Sequence, residues 1–333
     1  MSRFLLAQLY LDSLLDKRTK NKVHAALANL STGSEAINEA YDEAIRRIKS
    51  QLPEDAALAH RILTWLVYAR QNLTTAELLD ALAVKPGTSK IDPDDLEDIK
   101  SVISVCAGLV AVDEKSNIVR LVHYTTQEYF EGIKNEWNPN AQLEITTACL
   151  AYLSFEAFRE GACNTEEDWC TRKYDHSFLE YAGRFWGEHA ISVQHEVTEM
   201  VLLLLQHDGI TSSIMQAFDK AGKQFWKDLT YLAPKRQITA IHLGALFGLD
   251  HIVEQVLYRS EQDPKLAVNT KDSDNLTPLH FAVDGNNLDM VRILHRHGVD
   301  LDARGRFEAT AVSIAIENGY VQMVDLLLRL GAD

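Results

Sequence analysis

Thr277-Pro278-Leu279-His280-Phe281-Ala282, followed closely by Asn287-Leu288-Asp289-Met290-Val291, is the stretch from which the architecture is read. Thirty-three residues on, the frame returns as Thr310-Ala311-Val312-Ser313. At the same offset Leu279 is matched by Val312, Asn287 by Tyr320, Val291 by Val324 and Gly298 by Gly331. Thr277 is placed to cap a helix that Pro278 begins, because proline's missing N–H costs nothing at the first helical position. Upstream, Thr239-Ala240-Ile241-His242-Leu243 and Asp250-His251-Ile252-Val253 give an earlier copy, spaced 38 residues from the next. The extra residues fall around Ser260–Lys265, a polar stretch where a repeat tolerates insertion.

A period of about 33 residues opened by T-P-L-H resembles the ankyrin repeat. The resemblance implies a β-turn and two antiparallel helices per unit, each unit burying its apolar face against its neighbour. It also implies that His280 ties neighbouring turns together, a structural role in preference to metal or acid–base work. Partner recognition in such repeats sits on turn tips and on the concave face of the first helix. Carried onto this sequence, those places hold Leu246 and Phe247 (with Ile238), then Ser273, Asp274, Leu276 and Asp284 (with Gly285). In the last unit they hold Arg306, Phe307, Glu317 and Asn318 (with Ala309). Phe247 and Phe307 are expected to be exposed and to act as hot spots, with packing on a neighbouring loop as the alternative. Asn275 and Glu308 stand where a turn glycine is usual, which bears on the third unit's turn geometry.

The remaining composition excludes more than it assigns. The 333 residues are 46% hydrophobic with a formal net charge of −15, which argues against general affinity for nucleic acid or anionic membrane. Cys106, Cys149, Cys163 and Cys170 form no C-x-x-C pair and read as reduced thiols. Phe4–Leu11 is interrupted by Gln8 and followed by Asp12 and Asp16, so an amphipathic helix fits better than a signal peptide. No stretch approaches a membrane span, and a cytoplasmic location is expected.

Residues 1–55 read as helices over Phe4–Leu15, Asn21–Leu30 and Glu35–Gln51, the last with Ile37, Tyr41, Ala44, Ile45 and Ile48 at helical spacing and ended by Pro53. Phe4–Leu9, Leu27-x-x-Leu30-x-x-Gly33 and Tyr41-x-x-Ala44-Ile45-x-Arg47-Ile48 resemble the C-terminal edge of a NACHT NTPase module, in the form found in fungal NACHT–ankyrin proteins of the NLR-like group. The nucleotide engine does not come with it. Gly222-Lys223-Gln224 and Pro86-Gly87-Thr88-Ser89-Lys90 lack the spaced glycines of G-x-x-x-x-G-K-[ST]. The chain is therefore expected to be a segment or truncated relative of a longer architecture.

Over 56–135 the pattern is three helices and a hairpin. Ala56–Arg70 is the first helix; Thr74 and Glu77 form a capping box for the second. Asp92-Pro93-Asp94-Asp95 is expected to open the third. Leu109–Val112 and Ile118–Val122 alternate about Asp113–Asn117 as a β-hairpin. This is a winged helix, yet Asp92, Asp94, Asp95, Glu97 and Asp98 oppose DNA phosphates, so packing is favoured over DNA binding. Val122–Phe130 resembles the tail of the winged-helix domain named for GPI inositol-deacylases; without G-x-S-x-G no hydrolase activity follows. His123 is expected to be a hydrogen-bonded packing residue.

Residues 136–236 read as a helical connector: Ile145, Cys149, Tyr152, Leu153 and Phe155 on one helix, and further helices over Val193–His207 and Ile214–Leu232. Glu166–Trp169 and Lys173–Asp175 are expected to form a polar segment between helices. Phe178–Ala190 resembles the block joining winged helix to repeats in the fungal family, with Trp186 and His189 on one core face. His195 and Glu199 imitate only the first half of H-E-x-x-H and are discounted as zinc ligands. The expected fold class is mainly α: a helical bundle and winged helix with a short hairpin, then an ankyrin-type solenoid over 237–333. The expected function is recognition of a protein partner, with no catalytic, cofactor or metal residues, no nucleic acid, no membrane and no small-molecule substrate. A regulatory fragment of an ATP-dependent NTPase whose nucleotide site lies elsewhere is the alternative.

Overall fold

A computed structural model describes residues 19–28, 34–220 and 238–333. The expected helix at Phe4–Leu15, the Leu30 and Gly33 positions, Gly222–Gln224 and the end of the Ile214–Leu232 helix lie outside the described residues. Among the described residues the chain is mainly helical with one small antiparallel sheet, and its contacts gather it into two units.

In the unit holding residues 1–83 and 91–141, α1 (Lys20–Ala28) and α2 (Ser34–Lys49) lead into α3 (Pro53–Tyr68), which starts with proline in its first turn. Tyr41, Ala44 and Ile48 of α2 are buried, and the Tyr41 hydroxyl is 2.7 Å from Thr125 Oγ1 while accepting from Thr126 Oγ1 at 3.0 Å. Arg47 donates to the Ala107 carbonyl (2.8 Å) and Gln51 to that of Val105 (2.9 Å). Residues 41–51 are thus bonded to residues 105–126. Strand β1 (Leu73–Thr74) precedes α4 (Thr75–Ala83), whose N-terminus carries the expected capping box: the Thr74 amide donates to Glu77 (2.7 Å) and the Glu77 amide to Thr74 Oγ1 (3.3 Å).

The third helix is corrected. Asp92 caps only a single 3-10 turn, Pro93–Asp95; Leu96 is extended, and α5 runs Ile99–Val105. The acids do not open a helix because the apolar spacing that can be buried begins only at Ile99, continuing through the buried Val102 and Val105. The hairpin stands as expected: β2 (Val110–Asp113) pairs with β3 (Ile118–Leu121), Val112 opposite Val119, and β1 adds to the other side of β3. Asp113 Oδ1 accepts from the Lys115 and Ser116 amides across the turn. His123 then caps α6 (Tyr124–Trp137), its Nδ1 accepting from the Thr125 amide at 3.2 Å.

The second unit holds residues 84–90 and 142–333. Helices α7 (Ala141–Leu153), α8 (Glu166–Asp175), α9 (Leu179–Ala190), α10 (Gln194–Leu205) and α11 (Asp208–Lys220) form a body around Tyr152, Phe155, Phe158, Phe178 and Tyr181, whose ring centroids pack at 4.9–5.6 Å in their closest pairs. The polar stretch at Glu166–Asp175 is a helix, contrary to expectation. Thr165 accepts from the Asp168 amide at 3.1 Å, acids fill the first turn and Arg172 and Lys173 the last, so capping and the helix dipole hold an element whose one deeply buried side chain is Trp169. Trp186 and His189 are both fully buried; His189 lies 2.9 Å from the Tyr181 hydroxyl and 2.7 Å from Gln142 Oε1.

The repeats follow as antiparallel pairs: α12 (Ala240–Phe247) with α13 (Asp250–Arg259), α15 (Pro278–Asp284) with α16 (Leu288–Arg296), and α17 (Ala311–Glu317) with α18 (Val321–Leu330). The inserted residues between the first two pairs are not wholly loop. Asp263 accepts from the Lys265 amide and starts the short α14 (Pro264–Val268), whose Ala267 and Val268 are buried. Each pair opens on the same capping box, Thr239 with His242, Thr277 with His280 and Thr310 with Ser313.

Candidate functional site

The repeats present two kinds of surface, decided by how the histidines and turns lock one unit to the next. The Thr277 amide donates to His280 Nδ1 (3.0 Å), which leaves Nε2 to donate to the Ala309 carbonyl, 3.3 Å away. His242 repeats the arrangement, Nδ1 accepting from the Thr239 amide and Nε2 lying 3.2 Å from the Leu276 carbonyl. Each histidine thus caps its own helix and holds the turn of the following unit, the structural role the resemblance implied. Burial depresses the His280 pKa below the ordinary imidazole value, against carbonyl contacts that raise it, and favours the neutral ring this geometry needs. Asn287, whose part the sequence did not reveal, adds a second tie by donating to the Ala245 (2.9 Å) and Leu246 (2.8 Å) carbonyls. Its position in the short connection between paired helices was the available signal.

The turns themselves are tight. Asp272 Oδ1 accepts from the Asp274 (2.9 Å) and Leu276 (2.8 Å) amides, and Asn275 takes a left-handed φ of 61°. In the next unit the Gly305 amide donates to the Ala309 carbonyl (2.9 Å) around Phe307 and Glu308, both left-handed at φ 55° and 60°. Asn275 and Glu308 therefore adopt the conformation a turn glycine would supply. For Phe307 and Glu308 that conformation costs on the order of 1–2 kcal/mol each. A Cβ on Gly305 would stand 2.6 Å from Leu276 Cδ2, so any larger residue there would have to displace the buried Leu276 methyl.

The strained turn lifts Phe307 into solvent at 81% exposure. The Arg306 guanidinium lies 4.9 Å from the Phe307 ring centroid and 3.5 Å from Asp274 Oδ1, joining this tip to the preceding one. Ser273 is exposed and Asp274 half-buried on that preceding tip. These four residues, Ser273, Asp274, Arg306 and Phe307, are brought together. Glu317 and Asn318 are also exposed, at the far end of α17, beside Ile316, an exposed apolar side chain absent from the sequence expectation.

Most of the other expected positions lie inside, with Gly285 and Ala309 half-buried. Leu246, Leu276 and Asp284 are buried, and Phe247, expected to be an exposed hot spot, is 6% exposed. Its ring packs edge-on against Trp186 (5.2 Å) and Phe218 (5.7 Å), and a Cβ on Gly187 would fall 2.1 Å from its Cγ. Helix α9 reaches this close only because Gly187 has no side chain. Further along the same flank, Glu199 and Arg259 pair through both guanidinium nitrogens at 2.6 and 3.0 Å, and the His251 amide donates to Gln194 Oε1. The helical body thereby covers the first repeat's side as a preceding repeat would. The His195 ring lies tilted against that of His251, centroids 3.9 Å apart, and Glu199 is committed to Arg259. Among the described residues no group of three or more His, Cys, Asp or Glu side chains is disposed to hold a metal ion, and no helix is long and apolar enough to cross a membrane.

Comparison with known proteins agrees with the two kinds of fold. Residues 241–333 match the family described as ankyrin repeats, in three copies, and residues 47–140 match the GPI inositol-deacylase, winged helix domain. The azaphilone pigments biosynthesis cluster protein L of Monascus ruber is 23% identical over 291 residues, covering 80% of this chain and 60% of that protein. This chain thus spans less than two thirds of that relative's length. Over the repeats, protein phosphatase 1 regulatory subunit 27 of Mus musculus is 36% identical across 89 residues, 26% of this chain and 57% of that protein. The transient receptor potential cation channel subfamily A member 1 of Drosophila melanogaster is 29% identical over 94 residues, 28% of this chain and 8% of the channel.

Proposed function

We propose that this chain is a non-enzymatic recognition protein whose second and third repeats bind a protein partner through the joined turn tips. The observation that carries the reading is Phe307, a large aromatic held 81% exposed on a left-handed turn with Arg306 stacked beside it. Strain of this kind persists where the surroundings enforce it, and an exposed aromatic next to an arginine is the composition of an interface hot spot. Ser273 and Asp274 supply adjacent hydrogen-bonding groups, and Glu317, Asn318 and Ile316 extend the surface along α17. The ankyrin matches support protein recognition as the mode, since such repeats offer extended surfaces and no catalytic constellation.

The wider role we assign is that of the sensor part of a cytoplasmic NACHT-type signalling protein, NLR-like and fungal. The motifs at Tyr41–Ile48, Val122–Phe130 and Phe178–Ala190 support it, as does the similarity to a Monascus protein. In that role the repeat surface is read by the partner, and the helical body packed on the first repeat carries the consequence toward the rest of the protein. The test is quantitative affinity capture from cells that express the gene, comparing the wild type with an Arg306→Glu/Phe307→Ala variant. Specific proteins enriched by the wild type and lost from the variant support the proposal. An identical set captured by both removes the tips from the binding surface.

A further inference from the structure

Away from the repeats, the helical body contains a cavity of about 340 Å³ between the chain segment 84–90, α7, α10 and the start of α11. Pro86, Leu150, Met200, Leu203, Leu204 and Ile210 make its wall mostly apolar. Leu203 is 63% exposed there, so apolar surface is left facing an opening instead of being closed by the body's own side chains. The walls are fixed. The Glu156 amide donates to the Ser89 carbonyl (3.2 Å), Ser213 to the Phe158 carbonyl (2.9 Å), and a Cβ on Gly209 would lie 1.9 Å from the Arg159 carbonyl oxygen.

The charge of this wall is unlike that of the chain. In a protein of net charge −15 no aspartate or glutamate lines the cavity; its one formally charged residue is Arg159, accompanied by His207, Gln206 and Ser154. Glu156 and Asp208 stand nearby in sequence without lining it. The Arg159 side chain is exposed and makes no hydrogen bond or ion pair among the described residues, whereas other arginines of this unit, such as Arg172, Arg259 and Arg296, are paired. An apolar chamber of this size with one uncommitted guanidinium fits a small ligand carrying one anionic group, since pockets of roughly 300–1,000 Å³ take small molecules and arginine recognises carboxylates in fork geometry.

We infer that this cavity is a binding site for a small amphipathic carboxylate, its chain lying along Leu150, Met200, Leu203 and Ile210 and its carboxylate meeting Arg159. Charge complementarity selects a carboxylate over an amine or an alcohol of equal length. The proposal is independent of partner recognition by the repeats.

The test is a titration of the full 333-residue chain with octanoate, followed by the methyl resonance of Met200 in a methyl-labelled sample. The expected result is a saturable shift with a dissociation constant on the order of 1 mM or tighter, the range a ligand of this size reaches. Octylamine and octanol, which lack the carboxylate, should bind at least about tenfold more weakly. Arg159→Gln should weaken octanoate about tenfold, the scale of one lost charge-assisted hydrogen-bonding group. Leu203→Glu, at an exposed position that does not threaten folding, should abolish the shift by setting an acid against the carboxylate. No saturable shift up to about 20 mM, well above that range, would overturn the inference, and so would equal binding of all three probes unaffected by Arg159→Gln. Sedimentation supplies the last outcome: a wild-type dimer made monomeric by Leu203→Glu would assign the groove to a second copy of the chain and refute the ligand site.

Discussion

Replacing His280 separates the two duties the structure gives it. In His280→Ala the amide of Thr277, a residue only 1% exposed, loses the acceptor at Nδ1, and the carbonyl of half-buried Ala309 loses the donor at Nε2. A buried group left unpaired costs about 1–3 kcal/mol, and the vacated ring volume adds to it, so the loss should be about 2–4 kcal/mol. His280→Ser isolates one of the two. Ser313, at the equivalent place in the next unit, already shows a serine hydroxyl accepting from the Thr310 amide at 2.9 Å. The serine variant should therefore keep the cap and lose only the link to Ala309, at a cost of about 1–2 kcal/mol. Because the chain has two units, a whole-chain melt does not isolate the effect; amide hydrogen exchange over 303–318 does. Burial sets the folded His280 pKa below the unfolded value of 6.5, so the unfolded state binds the extra proton first. The stabilisation is complete above about pH 6.5 and is lost as pH falls toward the folded pKa, flattening in both variants. Wild-type exchange in His280→Ala, or serine and alanine variants that exchange alike, would refute the division of roles.

Phe307→Asn should weaken partner capture while leaving stability unchanged or raised by up to ~1 kcal/mol, because asparagine tolerates the left-handed turn better; a chemical melt and the capture assay together check it. Asp250, at the start of α13, has its carboxyl pushed up to about 6 by burial, with Asp289 and Glu254 adding and Arg296 opposing. Its folded form holds a proton longer than the unfolded one, so its contribution falls as pH rises from about 4 to about 6. Asp250→Asn should then gain about 1 kcal/mol at pH 7, a figure reduced for partial exposure, and lose that pH dependence in a urea titration series. Buried Cys106 and Cys149, whose thiol pKa values burial drives upward, should resist a thiol reagent until denaturant is added, whereas exposed Cys170 reacts in the native protein; mass spectrometry of alkylated peptides reads the order.

What the sequence discloses is local. The period from Thr239 through Thr310 and the Thr-x-x-His spacing announce repeats, capping boxes and the histidine ties, because each is written within a few residues of itself. The hairpin at Val110–Leu121 is legible for the same reason, its alternation surrounding an Asp113 turn. The side of Phe247 was not legible. Its cover comes from Trp186, Gly187 and Phe218, about thirty to sixty residues away, and nothing adjacent to Phe247 distinguishes it from Phe307. The helix at Glu166–Asp175 escaped for another reason: capping and end charges sustain it, and an apolar period is nearly absent. At Asp92–Asp98 the local signal misled, since a cap, a proline and acids suffice for one 3-10 turn without an apolar face to extend it. The candidate surface follows this pattern: the tips at Ser273, Asp274, Arg306 and Phe307 were readable as positions, and their contact through Arg306 only as geometry.

Site-specific photo-crosslinking measures the central claim most directly. A benzophenone amino acid is placed at Phe307, 81% exposed on the third repeat's tip, and separately at Tyr174, 87% exposed on the helical body. Irradiation in cells expressing the gene should give discrete protein adducts from position 307 that position 174 does not give. Adducts shared equally by both positions, or none at 307, would contradict recognition through the repeat tips.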